Sequence, residues 1–219
     1  AIRAMQKVVE KFPSAVYMIV GATHPHIRRR SGEKYRNSLQ QLARELGIAA
    51  NVVFQNRFVE LEELCEFLCA ADVCVVPYLN EAQVVSGVLA YAIGTGNAVI
   101  STPFWYAQEL LAEDRGRLVP FKDSQAIAEN VLELLSNDTE RDAMRKRAYQ
   151  YSRQMVWKEV AKQYLDVFSS AQKQPIHPIL MTRSVASSVS SEELPEIDLR
   201  HLRMLTDDTG IIQHCLYGT

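Results

Sequence analysis

Short, almost unbroken apolar runs alternate with helical stretches along most of this chain. The runs are AVYMIVG (15–21), NVVF (51–54), DVCVVP (72–77), AVIS (98–101) and GRLVP (116–120). Runs this short, lacking the polar alternation of a half-wet strand, predict strands buried on both faces. Between them lie helical patterns over 1–12, from about Lys34 to Leu46, and over 61–71, 86–94, about 105–113 and 124–136. The first places Ile2, Met5, Val8, Val9 and Phe12 on one face, and the last opens on Asp123 or Ser124 as its cap. The segment ATHPHIRRRSGE is expected to be a loop, and further helices are expected at about 138–152 and 157–169. Strands alternating with helices at this spacing predict an α/β fold: a Rossmann-like parallel sheet with helices on both faces. Such sheets take ligands in the crevice at the carboxyl ends of their strands.

The alternation stops near Ala171. The expected organisation is one domain over 1–171, a Ser/Pro-rich linker over 172–193 and the start of a further domain over 194–219. The opening AIRAMQKVVEKF reads as mid-domain helix, so more chain is expected upstream. A net charge of -2 gives no drive toward nucleic acid or an anionic membrane surface. The chain contains no apolar run of spanning length and no signal-peptide pattern. Cys65, Cys69, Cys74 and Cys215 lack the spacing of a closed metal site, and they read as reduced, buried thiols of a cytoplasmic protein. No metal is expected.

The loops that follow the apolar runs are where chemistry is expected. The first holds Gly21, Thr23, His24, His26 and the run Arg28-Arg29-Arg30; the second runs from Pro77 through Tyr78, Gln83 and Val85 to Ser86, Gly87 and Val88; the third holds Trp105 and Tyr106. Ser86-Gly87 opens a helix, and a helix start offers unpaired N–H groups and partial positive charge to a phosphate. Gly87 lets an anion approach the backbone closely. Ser86 also fits a plain N-cap. His24 and His26 fit either a loop-structuring pair or a metal or acid–base pair, and with Pro25 between them and no carboxylate beside them the structuring role is favoured. The arginine run fits a solvated face or the steering of a polyanion. Trp105 and Tyr106 fit core, lid or sugar-stacking roles.

Taken in order, these segments resemble the C-terminal, donor-binding domain of GT-B glycosyltransferases of family 4, the glycosyl transferases group 1 family. AVYMIVG is similar to the family's strand ending in Gly. NVVFQNRFV with LEELCEFLCAADVCVVPY resembles its v-x-f-x-G-x-v … a-d-v-x-v-x-P-S block, LAYAIGTGNAVIST its l-E-a-m-a-x-G-x-P-V-I-x-T block, and ELLAEDRGRLVPFKDSQAIAENVLELL the segment after it. The resemblance covers about residues 1–170. It implies the donor-binding half of a retaining enzyme that moves a hexose from a nucleotide diphosphate sugar to a glycan or lipid-linked acceptor, with no cofactor and no metal. It also implies that the domain's first strand, with basic diphosphate-binding residues, and an acceptor domain lie upstream of Ala1, and it implies peripheral membrane association of the full-length protein. Donor contacts carried over by the resemblance fall on Gly21, Thr23, Arg57, Phe58, Tyr78, Gln83, Val85, Ser86, Gly87, Val88 and Tyr91, with Arg57 and Phe58 beside the base.

The chain departs from the family at its paired glutamates, E-x7-E. Alignment on Gly96 puts Gln83 and Tyr91 at those positions; a shift by two puts Glu81 first and Leu89 second, so the motif reads as Q-x7-Y or as a displaced glutamate. Gln83 is the candidate catalytic residue, because its amide hydrogen-bonds sugar hydroxyls from both ends. Tyr91 offers the ribose a hydroxyl and no charge. Each contact is weaker than a charge-assisted one by roughly 1 kcal/mol. The same departure supports an alternative, a catalytically inactive sugar-nucleotide-binding regulator or scaffold. A nicotinamide-dinucleotide protein ranks behind both: it needs G-x-G-x-x-G after its first strand, and the G-x-G at Gly94 and Gly96 ends a helix.

Overall fold

A computed structural model of the chain describes residues 1–173. Two compact units are present, one covering Ala1–Arg153 and one beginning at Gln154. The expected linker over 172–193, the expected further domain over 194–219 and Cys215 fall, apart from the first two linker residues, outside the described residues.

In the first unit helices and strands alternate: α1 (Ile2–Lys11), β1 (Tyr17–Val20), α2 (Pro25–Ser31), α3 (Lys34–Glu45), β2 (Val52–Gln55), α4 (Leu61–Ala70), β3 (Val73–Val76), α5 (Gly87–Gly94), β4 (Ala98–Ser101), α6 (Trp105–Leu110), β5 (Arg117–Leu118), α7 (Ser124–Ser136) and α8 (Asp138–Ser152). Every strand pair is parallel: Tyr17 lies opposite Val52, Val73 opposite Ala98 and Ile100 opposite Arg117. The expected single sheet is divided, however. β1 and β2 form one ribbon, and β3, β4 and β5 form a second sheet with β4 at its centre.

Burial follows that arrangement. All four residues of β4 are buried, as a central strand should be, and its one polar side chain, Ser101, donates through Oγ to Val76 O (3.1 Å). β1 corrects its expectation: Met18 is 40% exposed although the run is apolar throughout. One face of β1 packs inward through Tyr17 and Ile19; the other is only partly covered. The core joins α1 (Ile2, Met5, Val8), α7 (Ile127, Val131, Leu134) and Met144 of α8 to Ala98 and Ile100 of β4. Val73 and Val75 of β3 pack on the same core, so one apolar layer underlies both sheets. Each large side chain of that layer contributes about 1.5–3 kcal/mol by leaving water.

α5 is apolar nearly all round because it is enclosed. It packs against α4, α8, β3 and β4, and Leu89, Ala92 and Ile93 are fully buried. Two arginines of the α8 region close its carboxyl end: Arg145 Nε donates to Gly96 O (2.9 Å) and Arg153 Nη2 to Gly94 O (2.8 Å). Gly96, at φ +73, makes the turn into β4. The buried Asn97 donates to Leu68 O (2.5 Å), tying the end of α4 to the start of β4.

The second unit contributes α9 (Trp157–Lys173) to the described residues. Trp157, Tyr164, Leu165 and Phe168 on this helix are all exposed.

Candidate functional site

The loops expected to carry chemistry leave the carboxyl ends of β1, β3 and β4. The β3–α5 connection, residues 77–86, is tied down by side chains and backbone alike. Ser86 is buried and caps α5: its Oγ accepts from Leu89 N (3.2 Å) and donates to Tyr78 Oη (3.4 Å). The plain N-cap reading of Ser86 is therefore correct, and it does not compete with an anion site. With Leu89 N held by the cap and Ala90 N by Ser86 O, the amides of Gly87 and Val88 at the head of α5 have no acceptor within the helix. A Cβ on Gly87 would meet only the ring of Tyr91, at 3.8 Å.

Behind this helix start, side chains and backbone fix the loop. Thr102 Oγ1 donates to Tyr78 O (2.6 Å), and the Tyr78 ring lies tilted against the fully buried Phe104, centroids 5.2 Å apart. Burial pushes the Tyr78 phenol above its usual value, opposed by the Ser86 hydrogen bond, so it stays protonated. The far side of the loop is stitched to the start of α6: Trp105 N donates to Glu81 O (3.0 Å) and Tyr106 N to Gln83 O (3.3 Å). Gln83 is half-buried, and its Nε2 donates to Val85 O (3.0 Å), which leaves its amide oxygen, Oε1, as the acceptor end of the group. Val85 and Tyr91 are each 41% exposed, and Trp105 is exposed beside the loop.

At the end of β1, the segment expected to be a loop contains a short helix, α2. His24 is its cap: its Nδ1 accepts from His26 N (3.3 Å), and the two rings stack with centroids 5.4 Å apart. Pro25 at the first helical position completes that start. The structuring role of the histidines thus holds. Arg28, Arg29 and Arg30 are exposed on α2. Thr23 and Gly21 belong to a polar cluster. Thr23 Oγ1 donates to Glu33 Oε2 (2.5 Å), Arg36 Nη2 donates to Gly21 O (2.6 Å), and Glu33 pairs with Arg36 (3.4 Å). Arg36 Nη1 is buried without an acceptor among the described residues.

After β2, Arg57 is held by Glu63 of α4 in a two-pronged ion pair (Nη1 to Oε2, 2.6 Å). The hydrogen bond from Arg57 holds the Glu63 carboxyl below its usual value. Arg57 is therefore engaged by a neighbour on its own side of the sheet. Phe58 beside it is 56% exposed.

The structure brings Tyr78, Gln83, Val85, Ser86, Gly87, Val88 and Tyr91 together around one helix start. Gly21 and Thr23 sit at the end of β1, and Arg57 and Phe58 at the end of β2. Sequence reasoning missed Glu33 and Arg36. Thr102 and Phe104 were visible as the continuation of the β4 run, but only tertiary contact shows that they support Tyr78. Among the described residues no group of three or more His, Cys, Asp or Glu has the arrangement of a metal site. No helix among them is long and apolar enough to cross a membrane. Cys69 corrects the buried-thiol expectation, since it is exposed; Cys65 and Cys74 are half-buried.

Comparison with known proteins identifies the family and the fold. The sequence profile of the glycosyl transferases group 1 family matches residues 1–137. A D-inositol 3-phosphate glycosyltransferase from Corynebacterium urealyticum is 32% identical over 175 residues, which cover 80% of this chain and 40% of the relative. The chain thus spans well under half the length of that relative. Among solved structures, the C-terminal domain of a glycosyl transferase group 1 family protein (LpcC) from Francisella tularensis superposes with a TM-score of 0.59 at 23% identity, covering 68% of this chain and 73% of that one. Anabaena HepE, solved with UDP and also with UDP-glucose, superposes in its UDP complex with a TM-score of 0.65 at 18% identity, covering 77% of this chain and 44% of that one. The ordered strands and helices, the capped helix start at Ser86 and the profile match over the same residues lead to one conclusion: the chain belongs to the glycosyl transferases group 1 family.

Proposed function

We propose that this chain is the donor-binding half of a retaining glycosyltransferase that moves a hexose from a nucleotide diphosphate sugar to a glycan or lipid-linked acceptor. One observation carries the reading. The amides of Gly87 and Val88 head an enclosed apolar helix at the carboxyl end of β3, where Ser86 consumes the next donor and leaves these two for an anion. In this reading the diphosphate sits on those amides and Gln83 Oε1 accepts from a sugar hydroxyl. Tyr91, lying over Gly87, meets the ribose. UDP and UDP-glucose, the ligands of HepE, are the first donors to try. The D-inositol 3-phosphate relatives suggest a phosphorylated polyol as acceptor, held by a second domain. Donor binding would need no metal, because helix amides stabilise the leaving diphosphate. Arg57 and Phe58 would flank the base, with Arg57 first leaving Glu63.

Gln83 and Tyr91, where the family has carboxylates, favour a second reading: a regulatory or scaffold module that binds the donor without turnover. Turnover by the full-length protein separates the two. For the site itself the test is a titration of this chain with UDP, UDP-glucose and GDP, followed by amide chemical shifts. Largest shifts at Gly87 and Val88, with a dissociation constant of about 0.1–1 mM (about -5 kcal/mol), are expected. Shifts confined to other loops, or none at millimolar ligand, would remove the reading.

A further inference from the structure

The polar cluster beyond β1 holds more donors than its one carboxylate can meet. Glu33, in the turn between α2 and α3, reaches back to Thr23, Arg28 and Arg36. Thr23 Oγ1 donates to its Oε2 (2.5 Å), Arg36 Nε lies 3.4 Å from the same oxygen, and Arg28 Nε lies 3.6 Å from Oε1. Gly32, at φ +61, makes the turn that returns Glu33 toward the strand end. Arg36 anchors the cluster. Its side chain is only 11% exposed, its Nη2 donates to Gly21 O (2.6 Å), and its guanidinium carbon lies 6.0 Å from the centre of the Phe54 ring. Its Nε and Nη1 are nonetheless buried without a hydrogen bond among the described residues. A buried guanidinium with unmet N–H groups is costly, so these two donors point to an acceptor that Glu33 does not fully supply.

Glu33 fits poorly as a permanent occupant. Its contacts to the two arginines are longer than hydrogen bonds. It stands at the cap position of α3, yet its side chain does not cap that helix. One carboxylate also leaves a charge surplus: Arg28, Arg29, Arg30, Lys34 and Arg36 accompany this single acid between residues 28 and 36, in a chain whose net charge is -2. A tetrahedral dianion matches the donors better. It brings two charges for the two guanidinia, and it has enough oxygens to meet the Thr23 hydroxyl, Arg28 and the bare Nη1 of Arg36 together.

We propose that the end of β1 is a binding site for a phosphoryl dianion, inorganic phosphate or a phosphate monoester, held by Thr23, Arg28 and Arg36, with Glu33 as its built-in competitor. When the dianion enters, the Glu33 carboxylate leaves the arginines and comes to rest at the head of α3, where the partial positive charge of a helix start receives it. Apparent affinity is then lowered by the fraction of molecules in which Glu33 is seated. The site shares no residue with the Ser86–Gly87 helix start, and the inference does not rest on the donor reading.

Titration of the 219-residue chain and its variants with inorganic phosphate, at fixed ionic strength and followed by amide chemical shifts, tests it. The largest shifts are expected at Thr23, Glu33 and Arg36. Glu33→Gln is expected to tighten binding by at least about tenfold. Glu33→Asp keeps the charge, has a shorter reach and caps α3 better, so it too is expected to tighten binding. In the Glu33→Gln background, Thr23→Val and Arg28→Gln are each expected to weaken binding at least about threefold, with shifts outside residues 21–37 unchanged. A parallel titration with glycerol 3-phosphate names the source: equal affinity assigns the site to phosphate monoesters, and binding of inorganic phosphate alone assigns it to the free ion. Three results overturn the proposal: no tightening in either Glu33 variant, tightening in Glu33→Gln alone, which reduces the effect to the loss of one negative charge, or shifts spread over Arg29, Arg30 and Lys34 that survive Thr23→Val and Arg28→Gln.

Discussion

Replacing Gly116 by alanine is expected to destabilise the first unit, whereas the same change at Gly94 is not. A Cβ on Gly116 would stand 2.5 Å from Leu111 Cδ2 and 3.1 Å from its Cγ, and 3.0 Å from Val99 O. Carbon pairs rest at about 3.5–4.0 Å, so the first overlap is about 1 Å deep. Leu111 is 3% exposed and has no solvent to swing into, and Val99 O belongs to the fully buried central strand. Relief requires either an off-rotamer Leu111 or a shift of β5 away from β4. Overpacking of this kind costs about 1–3 kcal/mol. For a unit of this size that is a fall in Tm of about 2–12 °C. At Gly94 nothing lies within 4 Å of the added Cβ and φ is not positive, so the alanine only restricts the unfolded chain and is expected to stabilise by about 0.4–1 kcal/mol. Urea unfolding of the two variants, with m unchanged, reads both. A Gly116→Ala variant within 0.5 kcal/mol of the parent would refute the packing argument, and so would equal effects at the two positions.

Ser86→Ala removes the α5 cap and is expected to cost about 1 kcal/mol by urea unfolding; Ser86→Gly should cost only a few tenths, and equal losses would point to a role other than capping. Alkaline stability should decline early. Burial pushes the Cys74 thiol and the Tyr17 phenol each up to about 12 from ordinary values of 9 and 10. The unfolded chain therefore releases these protons first, and stability falls from about pH 9 toward 12 at up to about 1.4 kcal/mol per pH unit per group. A Cys74→Ala variant with an identical fall between pH 9 and 10 would remove the thiol from that account. In the native chain a maleimide is expected to label Cys69 well before Cys74, since Cys69 is exposed and the Cys74 thiolate is suppressed; peptide mapping of a brief reaction reads the order.

The helices with an apolar stripe were legible in the sequence, α7 to the residue, because burial leaves a period that can be counted. α2 was not legible by period, since it buries no residue. Its signal was the His24–Pro25 start, a cap followed by proline, and the arginine run drew attention away from it. The strands were found because their runs are short and apolar, but run composition says nothing of which neighbour a strand pairs with. That is why the exposure of Met18 and the division of the sheet appeared only in three dimensions. The Ser86–Gly87 helix start was readable as a pair of residues. Its support from Tyr78, Thr102 and Phe104 joins positions as far apart as Tyr78 and Phe104 through contacts that leave no periodic trace. Arg57 was placed correctly at a strand end, yet its ion pair with Glu63 depends on how α4 turns after β2.

The arginines that close the far end of α5 have a mechanical consequence. Gly87 and Gly94 terminate one peptide column about 11 Å long. An anion drawn to the amides at its head pulls the helix along its own axis, out of the enclosure formed by α4, α8 and the sheet. Arg145 and Arg153, gripping Gly96 O and Gly94 O, act as a thrust bearing against that pull. They hold the column in place from behind and return its negative end to charge balance. On the proposed reading, the recoil of donor binding at the head of α5 would be delivered into α8, the helix that carries Arg145.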